Sequence, residues 1–351
     1  MVRSRPLDSV TSWLSGRTGR RSDRSFRIRL VIQALFALTC IALGVQFARF
    51  VRAASAGAVP LPARPAGVEA FLPISGLMGF LDWMYQGALN RIHPAATVLV
   101  MLALALALLF RKSFCSWVCP VGFGSELLAR FGRWAFGRNF RPWRWLDVPL
   151  RSLKYVLLVF FLGSVLLMSD VALTAFIDSP YNRVADVKMG LFFVNLGAVA
   201  TIVLGLLVLG SVFIQGLWCR YLCPYGALLG LFSWRSPARV TRQASACVDC
   251  GLCDKGCMAR LPVSRLSNVA RIECTGCLDC VAVCPVPGAL DVRMGRLRFS
   301  PLAYGLSIVA FFLAGYLGAR TLGVWDNGIS DVEYVQRIQD IHGPEYGHPG
   351  S

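Results

Sequence analysis

Apolar residues in this chain do not alternate to make one face of a sheet. They come in blocks, and five of these are long: Leu30 to Ala48, Ile92 to Phe110, Tyr155 to Ile177, Met189 to Trp218 and Ser300 to Gly318. A bilayer core about 30 Å thick takes roughly 20 such residues per helix, so each block predicts a transmembrane helix. The fourth is long enough to tilt or to extend past the bilayer. A sixth stretch, Ala70 to Leu89, holds Pro73, Gly76, Gly79 and Asp82, a mixture that predicts an interfacial or re-entrant segment. The pattern therefore predicts a mainly α membrane protein of about five transmembrane helices.

Composition fits that reading. The 351 residues are 56% hydrophobic with a formal net charge of +17, too apolar for a soluble two-domain chain. A basic chain invites nucleic acid as partner. Here the arginines are spread between apolar blocks rather than gathered on one face, so a lipid bilayer is expected and nucleic acid is not. Residues 1–29 hold eight arginines against two acids, 111–154 nine bases against two, and 219–300 eleven against five. The segment 178–188 is balanced, and beyond Arg320 acids are in excess. The positive-inside rule then puts the N-terminus and both basic segments on the cytoplasmic side of a bacterial inner membrane, with the C-terminus outside. The Arg-rich start and the small residues Ala53, Ala54 and Ala56 also allow a secretory signal. Its apolar run is too long for one, and Arg49 and Arg52 interrupt the approach to a cleavage site.

Between the fourth and fifth blocks, eight of the thirteen cysteines fall within 38 residues as two copies of one pattern. The first is Cys247, Cys250, Cys253 and Cys257; the second is Cys274, Cys277, Cys280 and Cys284, followed by Pro285. This C-x2-C-x2-C-x3-C spacing is that of two-cluster bacterial ferredoxins, in which the fourth cysteine of each run ligates the other cluster. It predicts one 4Fe-4S cluster on Cys247, Cys250, Cys253 and Cys284, and another on Cys274, Cys277, Cys280 and Cys257. Gly251, Gly256 and Gly276 would let the backbone approach sulfide closely. Met258 stands where the pattern has proline, which should loosen the exit of the first loop. Structural zinc takes fewer cysteines from each run, and disulfides do not suit a cytoplasmic location, where thiols stay reduced.

A second repeat lies beside the first. Phe114-Cys115-x3-Cys119-Pro120-x-Gly122 and Trp218-Cys219-x3-Cys223-Pro224-x-Gly226 each follow an apolar block. On a helix, positions four apart share a face, and the proline should stop or kink that helix. Four thiols meeting in this way would make an extra redox or metal site; the alternative is buried packing. Cys40, alone in the first block, is expected to pack. The only histidines are His93, His342 and His348, none in mid-span, so haem is not expected. His93 next to Pro94 is expected to cap or to lie at the interface. Asp170 is either a functional intramembrane acid or a solvated one. Walker, dinucleotide and Gly-x-Ser-x-Gly motifs are absent.

With both C-x3-C-P elements, the tandem cysteine runs and the segment from Arg64 to Ser75, the chain resembles the NapH-type membrane ferredoxins and the membrane part of NosR. The resemblance implies electron transfer linked to quinol or to enzyme maturation. Residues 50–91 are too few for an extracytoplasmic flavin domain like that of NosR, so flavin is not expected, and a fifth span departs from a four-span pattern. The expected division is a basic cytoplasmic N-terminus (1–29), four membrane helices (30–218) with C-x3-C-P elements at 115–120 and 219–224, and a small α+β ferredoxin-like domain (240–298). A fifth helix (299–320) and an extracytoplasmic tail (321–351) complete it. The expected function is electron transfer between a quinone pool or cytoplasmic donor and a redox partner protein, as a subunit rather than a stand-alone enzyme. An assembly or metal-reducing factor and a redox-sensing regulator are the alternatives.

Overall fold

The computed structural model describes residues 20–140 and 142–347; the first 19 residues of the expected basic N-terminus and the end of the tail, including His348, lie outside the described residues. Helices dominate: α1 (Arg20–Ser55), α2 (Pro73–Gln86), α3 (Pro94–Phe110), α4 (Pro120–Phe136), α5 (Arg144–Leu166), α6 (Asp170–Ile177), α7 (Pro180–Arg183), α8 (Ala185–Val194), α9 (Ala198–Phe213) and α10 (Pro224–Ser233). After a small mixed segment come α13 (Pro301–Thr321) and α14 (Asp331–Gln339).

Three helices, α1 from Ser25, α5 from Trp145 and α13, are long and apolar enough to cross a membrane. The fourth apolar block is broken: α8 and α9 meet at 78°. The break falls at Asn195, Leu196 and Gly197, where a glycine and a short polar side chain interrupt the helix. The second block forms α3, 17 residues long. The third ends at Leu166, earlier than its hydropathy suggests, because Ser169 caps a new helix by accepting from the Ala172 amide. Asp170 sits exposed in that helix's first turn, where the helix dipole favours an acid. Ala70 to Leu89 holds the separate helix α2. Leu35, Leu38 and Ile41 on α1 and Val156, Val159 and Phe160 on α5 are exposed, the apolar surface that a hydrocarbon environment requires.

The chain forms two compact units. Of the described residues, those in 20–37, 104–158 and 202–311 belong to unit 1, and those in 38–103, 159–201 and 312–347 to unit 2. Unit 2 has its own core, in which Phe50 packs edge-on against Tyr334 among Met78, Leu173, Ile177 and Ile338. In unit 1, Trp117 and Phe110 pack against Tyr304 of α13. A Cβ on Gly305 would come within 2.6 Å of the Trp117 ring, so only glycine permits that approach.

Unit 1 also carries a four-stranded antiparallel sheet in the order β2-β1-β3-β4, with β1 (Ala238–Arg242), β2 (Asn268–Val269), β3 (Leu290–Met294) and β4 (Leu297–Phe299). Val240 lies opposite Val269 on one side and Val292 on the other, and these three are buried on one face. Two short helices, α11 (Leu252–Gly256) and α12 (Asp279–Ala282), leave the two cysteine loops.

Candidate iron-sulfur and thiol sites

The two cysteine loops share one backbone device. Asp249 and Gly251 have positive φ on either side of Cys250, and Gly276 and Leu278 on either side of Cys277. Left-handed residues alternating along so short a stretch turn successive N–H groups to the same side, the geometry of an anion-binding nest. For Leu278 and Asp249 the conformation is strained, of order 1–3 kcal/mol each. At Gly276 a Cβ would also meet the Tyr304 hydroxyl at 2.7 Å.

Each loop closes a cavity. One, of about 370 Å³ counting its open mouth, is lined by Cys247, Cys250, Cys253 and Cys284. The other, of about 340 Å³, is lined by Cys257, Cys274, Cys277 and Cys280. The fourth cysteine of each run thus reaches the cavity of the other, the same quartets that the spacing groups. The remaining walls are mostly apolar, with Pro285, Val286 and Leu290 in the first and Val240, Val263 and Val269 in the second. Four thiols, a backbone of nest-forming conformation and mostly apolar walls suit an iron-sulfide cubane. Burial pushes the thiols of Cys253 and Cys257 up to about 11 and that of Cys277 higher still, so binding iron must displace protons. The Leu261 amide donates to the Cys257 sulfur at 3.4 Å, which favours its thiolate.

The cavities differ in setting. The second loop is bolted to helices along its length. Ser116 donates to the Thr275 carbonyl at 2.7 Å and the Trp117 indole to that of Gly276 at 3.0 Å. Lys154 pairs with Glu273 at 2.7 Å, and Arg111 donates to the Arg271 carbonyl. Beneath them, Arg29 of α1 is 1% exposed, 2.5 Å from Glu126 and 3.1 Å from Asp279. Arg130 joins Glu126 too, and Gln33 bridges Glu126 and the Ser116 carbonyl. Burial alone would raise the Glu126 carboxyl, but Arg29 and Arg130 hold it down to about 2. Met258, expected to leave the first loop's exit loose, faces Arg29 with its sulfur 3.7 Å from the guanidinium. At the first loop, in contrast, Cys250 and its neighbours Val248 and Leu252 are exposed.

The C-x3-C-P elements take a shape that helical spacing did not reveal. Phe114–Val118 and Trp218–Leu222 are single π-helical turns, a form that recurs at functional sites. Each proline starts a helix rather than merely ending one, Pro120 at the first position of α4 and Pro224 of α10. Phe114 packs edge-on against Tyr225, joining the two copies. The four thiols lie within electrostatic reach of one another and of Lys112. Burial and the neighbouring Cys223 and Cys119 push the Cys219 thiol up to about 12, against the opposing pull of Lys112 and Ser125. Among the described residues no three His, Cys, Asp or Glu side chains are grouped to hold a single metal ion. Arg220 and Tyr221 of the second turn bind Asp147 of α5 at 2.9 and 2.5 Å, and Arg220 also donates to the Ala259 carbonyl at 3.0 Å. Ala259 lines the second cavity, so this element touches the chain that forms it.

Sequence reasoning missed Arg29, Lys112, Glu126, Asp147 and Asp279 as site residues. In unit 2 it also missed a buried ion cluster. There Arg64 pairs with Glu69 at 2.8 Å and Asp186 at 2.6 Å, while His93 stands 3.3 Å from Glu69 and 2.6 Å from the Asn182 carbonyl. The available signal was the presence of acids and bases beside apolar blocks.

A family model described as a 4Fe-4S binding domain matches residues 92–139 and 196–242. Those segments contain the C-x3-C-P elements and stop short of the tandem runs. The chain is similar to YccM of Escherichia coli, named for electron transport, with 40% identity over 330 residues and 91% of each chain covered. It is similar to the ferredoxin-type protein NapH of Escherichia coli, 28% identical over 54% of this chain and 65% of that one. It is also similar to the regulatory protein NosR of Pseudomonas aeruginosa, 28% identical over 60% of this chain and 29% of the relative. No solved structure gives a significant match.

Proposed function

We propose a route for electrons on the premise that this chain belongs to the NapH- and NosR-like family of membrane 4Fe-4S ferredoxins, whose role is iron-sulfur electron transfer. Bound 4Fe-4S clusters supply one-electron carriers. In this reading Cys247, Cys250, Cys253 and Cys284 hold one cluster, and Cys274, Cys277, Cys280 and Cys257 hold the other. The observation that carries it is the pair of cavities, each lined by four cysteines with the fourth exchanged between runs.

The first site lies toward solvent and the second against the helices, next to the C-x3-C-P turns. Clusters held by these two quartets would give electrons a path between the exposed first loop and the membrane part, where a quinone or a partner subunit would exchange them. With the clusters on the cytoplasmic side, about 30 Å of hydrocarbon separates them from any acceptor outside, so a mobile quinone or a partner protein completes the path. Cys115, Cys119, Cys219 and Cys223 are proposed to hold a third centre at that exchange point. Their mutual proximity and the family model over both segments support this.

The test uses the full chain in lipid nanodiscs. Dithionite and then menaquinol are added, and electron paramagnetic resonance follows the reduced clusters. The reading predicts reduction by both. Reduction by dithionite alone removes the quinone from the route, and no iron-sulfur signal under either removes the clusters.

A further inference from the structure

The charges of the cysteine-rich segment are divided unevenly between its interior and its surface. Residues 240–298 carry eight bases and five acids. Every acid is engaged. Asp249 pairs with Arg242 at 3.2 Å, Asp254 accepts from the Ser264 amide and hydroxyl at 2.7 and 2.6 Å, and Glu273 holds Lys154. Asp279 holds Arg29, and Asp291 faces Arg293 and Arg298. Asp249 is the only one of the five exposed. Lys255, Arg265, Arg271 and Arg296 are exposed and make no ion pair among the described residues. Two of them flank the first cavity: Lys255 shares α11 with Cys253, and Arg265 follows Ser264, which lines the cavity wall.

Between these bases lies an apolar collar. Val248 is 64% and Leu252 42% exposed, on either side of the exposed Cys250, and Pro285 completes the rim. At the second cavity Leu278 and Cys280, on either side of the buried Asp279, are buried instead. Cluster thiolates add negative charge of their own, which nearby bases offset. The field of this side is nonetheless basic, since 111–154 adds nine bases against two acids. An apolar centre that carries one neutralised pair, Arg242–Asp249, with the unpaired Lys255 and Arg265 beside it, suits brief, electrostatically steered encounters with an acidic surface.

We propose that the surface around Cys250, with Val248, Leu252 and Pro285 at its centre and Lys255 and Arg265 at its rim, is the docking port of a small acidic one-electron carrier protein. It rests on the reading that the first quartet holds a cluster. One electron leaves the reduced carrier and enters that cluster, or returns by the same path, with no bond made and no proton required.

The test uses the iron-loaded full chain in nanodiscs of neutral lipid, immobilised, with an acidic bacterial ferredoxin as probe. Wild type should bind with an affinity that falls as salt rises. Lys255→Glu with Arg265→Glu should weaken binding at least about tenfold at roughly 50 mM salt, and the gap should narrow at high salt. Iron, sulfide and the paramagnetic spectrum should not change. Arg265→Glu alone, outside α11, gives the same direction if the double variant loses iron. Wild-type chains that carry clusters yet do not bind, or variants that bind as wild type does, overturn the port while leaving the clusters standing. Ferredoxin binding abolished by anionic lipid in the disc assigns the bases to the bilayer and overturns it as well. Chains without iron and sulfide defeat the cluster reading itself, before any binding is measured.

Discussion

Arg29 shows how much a single side chain carries here. Its guanidinium is the counter-ion of both Glu126 and Asp279, and Asp279 directly precedes Cys280. Arg29→Met would leave two carboxylates short of a partner in a buried site, at a cost of roughly 3–5 kcal/mol. A lower melting temperature is the expected result and, with clusters held as proposed, faster iron loss from the second site than from the first, followed by melting and by iron-sulfur spectroscopy. In unit 2, His93 faces two acceptors, the Asn182 carbonyl at Nε2 and Glu69 at Nδ1. Burial lowers its pKa, yet the Glu69 bond and charge and the nearby Asp186 raise it overall above 6.5. A raised folded value means that the stabilisation is complete below pH 6.5 and is lost as pH rises through the folded value. Stability of the wild type should therefore fall with rising pH in that window, and His93→Gln should flatten the dependence; melts from pH 6 upward measure it. Arg29 did not stand out in the sequence, and His93 was expected only to cap or to lie at the interface. Arg29 was one arginine in a basic segment, and its partners lie 97 and 250 positions away. Asp170 stood out as either a functional intramembrane acid or a solvated one, and it is an exposed first-turn residue.

Among elements, the C-x3-C-P turns were legible as a repeat but not in shape. Periodicity distinguishes a helix from a strand, whereas a π turn differs from an α turn by one hydrogen-bond step that no side-chain pattern reports. The motif's glycine now has a physical reason in the first copy only. A Cβ on Gly122 would stand 2.2 Å from the Cys115 carbonyl oxygen, whereas on Gly226 it would meet the Cys223 sulfur at 3.5 Å, an ordinary contact. Gly122→Ala should cost about 1–3 kcal/mol and speed alkylation of Cys115. Gly226→Ala should be tolerated, and Gly124→Ala, with open space around it, is the silent control. The apolar blocks located the long helices, while the 78° bend between α8 and α9 and the early end of α5 were not visible, because hydropathy averages over the few residues that cap or break a helix. The grouping of the tandem cysteines around two cavities was legible because the spacing of the runs is itself the local geometry.

At the scale of the molecule, the sheet and the two cysteine loops form a small mixed segment whose buried apolar side chains larger than alanine, besides its cysteines, are Val240, Leu261, Val263, Val269, Leu278, Leu290 and Val292. Such a segment draws much of its folding free energy from metal ligation. Cys277→Ser should therefore lose more than one cluster ligand: the second loop's protection from proteolysis should fall along with its iron. A variant that loses iron yet keeps its resistance would show that the pins from Ser116, Trp117 and Lys154 suffice. The most direct test of the whole account is the metal and acid-labile sulfide content of the purified full chain. Two four-iron clusters require about eight iron atoms with matching sulfide per polypeptide, more if the C-x3-C-P thiols hold a centre. Zinc without sulfide would contradict the account.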